Sequence, residues 1–399
     1  MTGRRVRWQT AAVALAAGAL LIAGCGTKPA PSSPAALTPV PAVGGATLAT
    51  SASSINGTGW AVVNMGGSAD PLDNFWELFV RPSDTASWKL ATPAGVASNG
   101  GLVMAVTSAT SLVTGFLPSQ KLIFSPLAVT TDGGANWSQS ALLDPGFGDL
   151  PDALGAGARG QLLALTDAGG VEASTSADGS WRTLTTQRAL AESPAARACR
   201  IQGLTAAAWT PTGSPLVAAR CGQPDVAGIF VLSAGGWHRA APTMPVNLTH
   251  NVVDVIGLAT NGQRTTVVLA VTTAAGTRIL AGWSADGGAS WRLSPELAAG
   301  TGTGLSVSIW ADGSAGLVLP GSTAAAAASG ATIGWQSTEW RNLPLLPERT
   351  TTLAAGPGGQ PQALAVNGIA FTAWQLAAGS NRWTLIQTIH VPVPAGSSG

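Results

Sequence analysis

The residues of this chain that could do chemistry are few and scattered. His238, His250 and His390 each stand alone, without the spacing that a metal site uses. The six glutamates are Glu77, Glu172, Glu192, Glu296, Glu339 and Glu348. No two are spaced to suggest carboxylates converging on a glycosidic bond. There is no Gly-Lys-Ser/Thr phosphate loop and no Gly-x-Ser-x-Gly elbow, and Tyr is absent from all 399 residues. The one asymmetry is acidic. Asp70, Asp73, Asp144, Asp149, Asp152 and Asp167 are six of the thirteen aspartates and fall in the first half of the chain. Two readings stay open: plain solvated loops, or an acidic rim that attracts a basic partner or holds Ca²⁺ through oxygen ligands. Apart from that calcium reading, no metal and no cofactor is expected.

The three cysteines point to chemistry of another kind. Arg4, Arg5 and Arg7 precede an apolar run, Ala11 to Ala23, too short to span a bilayer as an ordinary helix. The run ends in Ile22-Ala23-Gly24-Cys25, which resembles the lipobox of bacterial lipoproteins. The resemblance implies a signal peptide over residues 1–24 and lipid on Cys25. Two or three acyl chains would hold the protein to the membrane. Residues 25–45, with five prolines, are expected to form an extended tether, 46–390 a folded body and 391–399 a disordered tail. The expected location is the bacterial cell envelope, outside the cytoplasm. There Cys199 and Cys221 should bond, because the turn-like Pro211-Thr212-Gly213 lies midway between them and would set them opposite each other.

Charge excludes one class of partner. The formal net charge is +1, and without Arg4, Arg5 and Arg7 the 20 basic residues fall to 17 against 19 acidic. A nucleic-acid binder would carry a basic surplus. With 46% hydrophobic and 10% charged residues, 51 Gly and 26 Pro, the composition suits short strands joined by tight turns.

The elements that position these residues are marked by a repeat. Thr130-Thr131-Asp132-Gly133-Gly134-Ala135-Asn136-Trp137 and Ser284-Ala285-Asp286-Gly287-Gly288-Ala289-Ser290-Trp291 are near copies. Both fit Ser/Thr-x-Asp-x-Gly-x-x-Trp. Ser176-Ala177-Asp178-Gly179-Ser180-Trp181 is a shortened version, and turns ending in Trp88, Trp237, Trp340 and Trp383 are weaker ones. The seven tryptophans lie 49, 44, 56, 54, 49 and 43 residues apart, enough for four short strands and their turns. In such a turn the Asp accepts backbone hydrogen bonds and the glycines take positive φ.

These turns resemble the Asp box, or bacterial neuraminidase repeat, of sialidase-like propellers. Gly57-Thr58-Gly59-Trp60-Ala61-Val62-Val63 resembles an inner-strand phrase of photosystem II assembly-factor-like propellers. The resemblance implies an all-β, seven-bladed β-propeller, although six or eight blades also fit the spacing. It implies that Asp132, Asp178 and Asp286, with Trp137, Trp181 and Trp291, are structural, and that ligands bind on the face away from them. A sialidase also needs a Tyr nucleophile, which this chain lacks. Phe79-Val80-Arg81-Pro82 resembles the arginine motif of sialidases, but its place before a hairpin makes Arg81 an expected solvated strand residue. The expectation is a non-enzymatic binding or assembly module for a protein partner. The alternative is a sialidase-related protein that binds or cleaves glycans without the Tyr nucleophile. A third reading is a purely structural envelope protein.

Overall fold

The computed structural model describes residues 50–53, 57–66, 75–83, 85, 87–93, 101–116, 127–139, 150–176, 179–300, 305–319 and 328–392. The chain divides into Met1–Leu37 and Thr38–Gly399, and every described residue belongs to the second unit. Cys25, Asp70, Asp73, Asp144, Asp149 and Asp178 lie outside the described residues.

Seven antiparallel sheets, each built from consecutive strands, form a seven-bladed β-propeller. Blade 1 is Thr50–Ser53, Gly59–Met65, Phe75–Arg81 and Lys89–Leu90. Blade 2 runs from Leu102–Val106 to Ser138–Gln139, and blade 3 from Pro151–Ala156 to Arg182–Thr186. Blade 4 runs from Ile201–Trp209 to Gly236–Arg239. Blade 5 is Val252–Asn261, Arg264–Thr273, Gly276–Ser284 and Arg292–Leu293, with Leu297–Gly300 added beside its third strand. Blade 6 runs from Ser306–Ile309 to Arg341–Asn342. Blade 7 is Thr350–Ala355, Pro361–Asn367, Ala370–Leu376 and Trp383–His390. The Trp60 phrase differs from expectation: it forms the second strand of blade 1, not the inner one. A single α-helix among the described residues, Gln187–Glu192, is inserted between blades 3 and 4 and capped by Thr186, whose side chain accepts from the Ala189 amide.

The middle strands are apolar on both faces because each blade is sandwiched between two others. Their buried side chains sort into seven clusters, one per seam. The seven marker tryptophans fall one to a seam, each on the side of the preceding blade: Trp137 between blades 1 and 2, Trp181 between 2 and 3, Trp237 between 3 and 4. Trp291, Trp340 and Trp383 follow in order, and Trp88 fills the closing seam between blades 7 and 1. The repeat tryptophan thus joins its blade to the one before. Three of them add a hydrogen bond to a carbonyl just past the preceding blade's outer strand. Trp291 Nε1 donates to Ala240 O at 2.7 Å, Trp340 Nε1 to Pro295 O at 2.9 Å and Trp383 Nε1 to Pro344 O at 3.4 Å.

The aspartate turns follow the expected physics. Asp132 Oδ1 accepts from Thr130 Oγ1 and the Asn136 amide, both at 2.9 Å, and Gly133 and Gly134 have φ of 74° and 83°. Asp286 Oδ1 accepts from Ser284 Oγ at 2.7 Å and the Ser290 amide at 2.8 Å. A Cβ on Gly134 would sit 2.9 Å from Ala91 Cβ, and one on Gly288 would sit 3.0 Å from Ala240 Cβ, so the turns also need glycine to dock on the preceding blade. The Cys199–Cys221 disulfide is formed, with Cα atoms 4.7 Å apart, and closes the first hairpin of blade 4.

Candidate functional site

In each blade the turn from first to second strand and the turn from third to fourth share one face of the ring. The turn from second to third strand and the connections between blades share the other. The first turns carry a second repeat, not recognised among the tryptophan markers. Gly157-Ala158-Arg159-Gly160-Gln161, Thr210-Pro211-Thr212-Gly213-Ser214, Trp310-Ala311-Asp312-Gly313-Ser314 and Gly356-Pro357-Gly358-Gly359-Gln360 each put glycine fourth and a polar residue fifth. Each closes with the first amide donating to the fifth carbonyl and the glycine amide donating to the first carbonyl, at 2.7–3.1 Å. The four glycines have φ between 75° and 86°, so a left-handed fourth residue is required.

These turns ring one mouth of the propeller and enclose two adjoining basins, on the face that also carries the aspartate turns and not on the face that the resemblance implies for ligands. One, of about 550 Å³, lies among the first turns of blades 1, 5, 6 and 7. The other, of about 370 Å³, lies among those of blades 2 to 5, and both share Asn261 and Gly262. The smaller basin is lined by small, hydroxyl and apolar groups, with Trp209 at its wall. The larger one is charged, through Arg81, Arg264 and Asp312.

Arg81 overturns the expectation of a solvated residue. It is only 1% exposed. Its Nη1 donates to Pro82 O at 3.2 Å and Thr85 O at 2.9 Å, and its Nη2 to Gly57 O at 2.6 Å and Ala355 O at 2.9 Å. The guanidinium thus joins turns of blade 1 to the first turn of blade 7. Its centre lies 6.0 Å from the Trp88 ring, and no described carboxylate pairs with it. Burial pulls its pKa below the ordinary arginine value. Four carbonyl dipoles can hold such a charge where a counter-ion is missing.

Arg264 is exposed, but its position is set. Nη1 donates to Asp312 O at 2.8 Å, and the guanidinium centre lies 5.3 Å from the Trp335 ring. Asp312 does not neutralise it among the described ion pairs. Its Oδ1 accepts from the Ser314 amide at 3.0 Å and from the Ser314 hydroxyl. The rim of the larger basin therefore offers a fixed cation beside turn backbone, suited to a carboxylate or to the carbonyls of a polypeptide.

Of the proposed acidic rim, Asp152 and Asp167 are described, and the structure brings them together on the opposite face. Asp152 lies on the inner strand of blade 3, and Asp167 in the turn after that blade's second strand. Asp167 Oδ1 accepts from the Leu150 amide at 3.2 Å, and the Asp167 amide donates to Leu150 O at 2.9 Å. Burial, and then the nearby Asp167 charge, push the Asp152 carboxyl up to about 6. Among the described residues no three His, Cys, Asp or Glu gather in a way that could hold a metal ion. Asp132 and Asp286 of the marker turns are exposed to solvent, and Asp286 is held down to about 2 by hydrogen bonds from Ser290 and Ser284.

No family model matches the chain, and no curated protein matches it. Solved structures do. A candidate 6-phosphogluconolactonase from Bacteroides uniformis aligns with a TM-score of 0.53 at 12% identity, over 83% of this chain and 96% of its own. A protein from Lactobacillus plantarum aligns with a TM-score of 0.52 at 12% identity, over 84% and 96%. YCF48 from Cyanidioschyzon merolae aligns at 14% identity over 83% and 96%, with a TM-score of 0.49. At these identities the likeness is one of architecture, and the architecture is that of the seven-bladed β-propeller.

Proposed function

We propose that the chain is a lipid-anchored, extracytoplasmic Asp-box propeller that binds a protein partner at the cell envelope and catalyses no reaction. The observation that carries the reading is the double basin. First turns from all seven blades surround it, its rim holds the fixed Arg264 guanidinium, and its lining is largely turn backbone. A wide surface built from the turns of many blades offers one polypeptide contacts on each of them, whereas hydrolysis needs convergent acid, base or nucleophile groups. The absence of Tyr argues in the same direction. The Asp152–Asp167 pair supports a second docking reading, in which a basic partner sits on the opposite face.

The test is cross-linking and co-purification from native membranes with the wild type, Arg264→Ala, and Asp152→Asn with Asp167→Asn. A defined protein whose recovery falls at least tenfold with Arg264→Ala is the expected result. Loss only with the aspartate pair moves the partner to the other face. Recovery of glycan with no protein sinks the proposal and favours the glycan-binding alternative.

A further inference from the structure

Exposed strand edges are where one sheet recruits another. The outer strands of blades 1, 2 and 6 have two residues each, that of blade 4 has four and that of blade 3 has five. That of blade 5 has two and is continued on the same side by the four-residue Leu297–Gly300. The outer strand of blade 7, Trp383–His390, has eight. Five of the six shorter strands carry a Lys or Arg: Lys89, Arg182, Arg239, Arg292 and Arg341. Such charges discourage edge-to-edge pairing. Trp-Thr-Leu-Ile-Gln-Thr-Ile-His holds no Lys, Arg, Asp, Glu, Pro or Gly, and four of its residues are β-branched.

On its inner side this strand pairs with Ala370–Leu376, and on its outer side with nothing among the described residues. The Val391 amide donates to Ile369 O at 2.9 Å, and Ile389 stands opposite Phe371. Alternation along an antiparallel ladder then turns the backbone groups of Ile389 and Gln387 inward and those of Thr388 and His390 outward. An apolar apron flanks the edge. Leu345, next to the Pro344 carbonyl that accepts from Trp383, is 71% exposed, and Leu385 is 47% exposed.

We propose that this edge joins two copies of the chain, with Trp383–His390 of each propeller pairing antiparallel about a two-fold axis, so that two blades 7 form one eight-stranded sheet. Two-fold pairing sets the strand against itself, so any charge near its centre would meet a like charge, and this strand carries none there. A strongly charged partner finds nothing here to steer it, whereas a second copy also covers Leu345 and Leu385. Eight residues extend about 26 Å, long enough for a continuous ladder. The rim lies away from the basins, so the inference stands apart from the proposed function.

Single cysteines at Thr384, Ile386, Thr388 and His390 of the full chain, oxidised in native membranes, test the register. Covalent dimer of twice the chain mass is expected, strongest at one position and weaker on either side of it. A control cysteine at Ser138, on the outer strand of blade 2, should give none. Thr388→Lys should lower chemically cross-linked dimer at least tenfold without moving the melting temperature, and Thr388→Ala should retain it. If Thr388→Lys is misfolded, the cysteine series decides alone. Dimer no stronger than the Ser138 control, equal dimer at all four positions, or an adduct of another mass overturns the proposal.

Discussion

Arg81 and Glu77 stand four residues apart on one strand of blade 1, both buried and neither in an ion pair among the described residues. Burial pushes the Glu77 carboxyl up, and the Thr92 hydroxyl that donates to it partly offsets this. Arginine is seldom buried, so sequence alone favours an exposed Arg81. The carbonyls that reverse this come from Gly57, 24 residues away, and Ala355, 274 residues away. Asp152 gives the test at this scale. Its folded pKa, about 6, is raised above the ordinary 3.8. The stability it contributes is therefore present below about pH 4 and lost as pH rises through 6. At pH 7 Asp152→Asn should stabilise the protein by about 1 kcal/mol, after discounting for its partial exposure, and at pH 4 it should change little. Thermal melts at both pH values check this, and equal shifts at both would refute the burial argument.

At the scale of the element, the hairpins divide into those legible in the sequence and those hidden. The Asp132 and Asp286 turns were legible because everything they need, acceptor, glycines and donors, lies within eight residues. The first turns carry an equally regular pattern. Ala or Pro second, Gly fourth and Gln or Ser fifth would have revealed it, but no tryptophan marks it. Asp286→Ala should cost about 0.5–1.5 kcal/mol, the net worth of hydrogen bonds at an exposed turn. Its folded pKa, about 2, lies below the usual 3.8. Its contribution is thus present above about pH 4 and fades as pH falls towards 2. Urea titrations should show the difference between wild type and Asp286→Ala shrinking from pH 7 to pH 2.5. A difference that holds at pH 2.5 would mean the carboxylate is not its source.

For the whole molecule, anchoring is the test that concerns every partner. If Cys25 carries the lipid, Cys25→Ala should release the protein from membranes or leave an unprocessed precursor, as fractionation would show. Normal processing and membrane retention would refute the lipobox reading. By itself the sequence determined the strand repeat, a propeller of six to eight blades, the bracing aspartates and the Cys199–Cys221 hairpin, because each rests on spacing along the chain or on contacts within one blade. Only the tertiary structure decided that every marker tryptophan packs on the preceding blade, that Arg81 is buried, that Asp152 meets Asp167 on one face, and that the basins open on the other. Those outcomes depend on which blade faces which after the ring closes. Closure joins residues as far apart as Trp88 and Gln387, whose backbone and side-chain amide exchange hydrogen bonds at 2.6 and 2.9 Å across 299 positions of sequence. No local pattern encodes a contact of that range, because its partners become neighbours only when the last blade packs against the first.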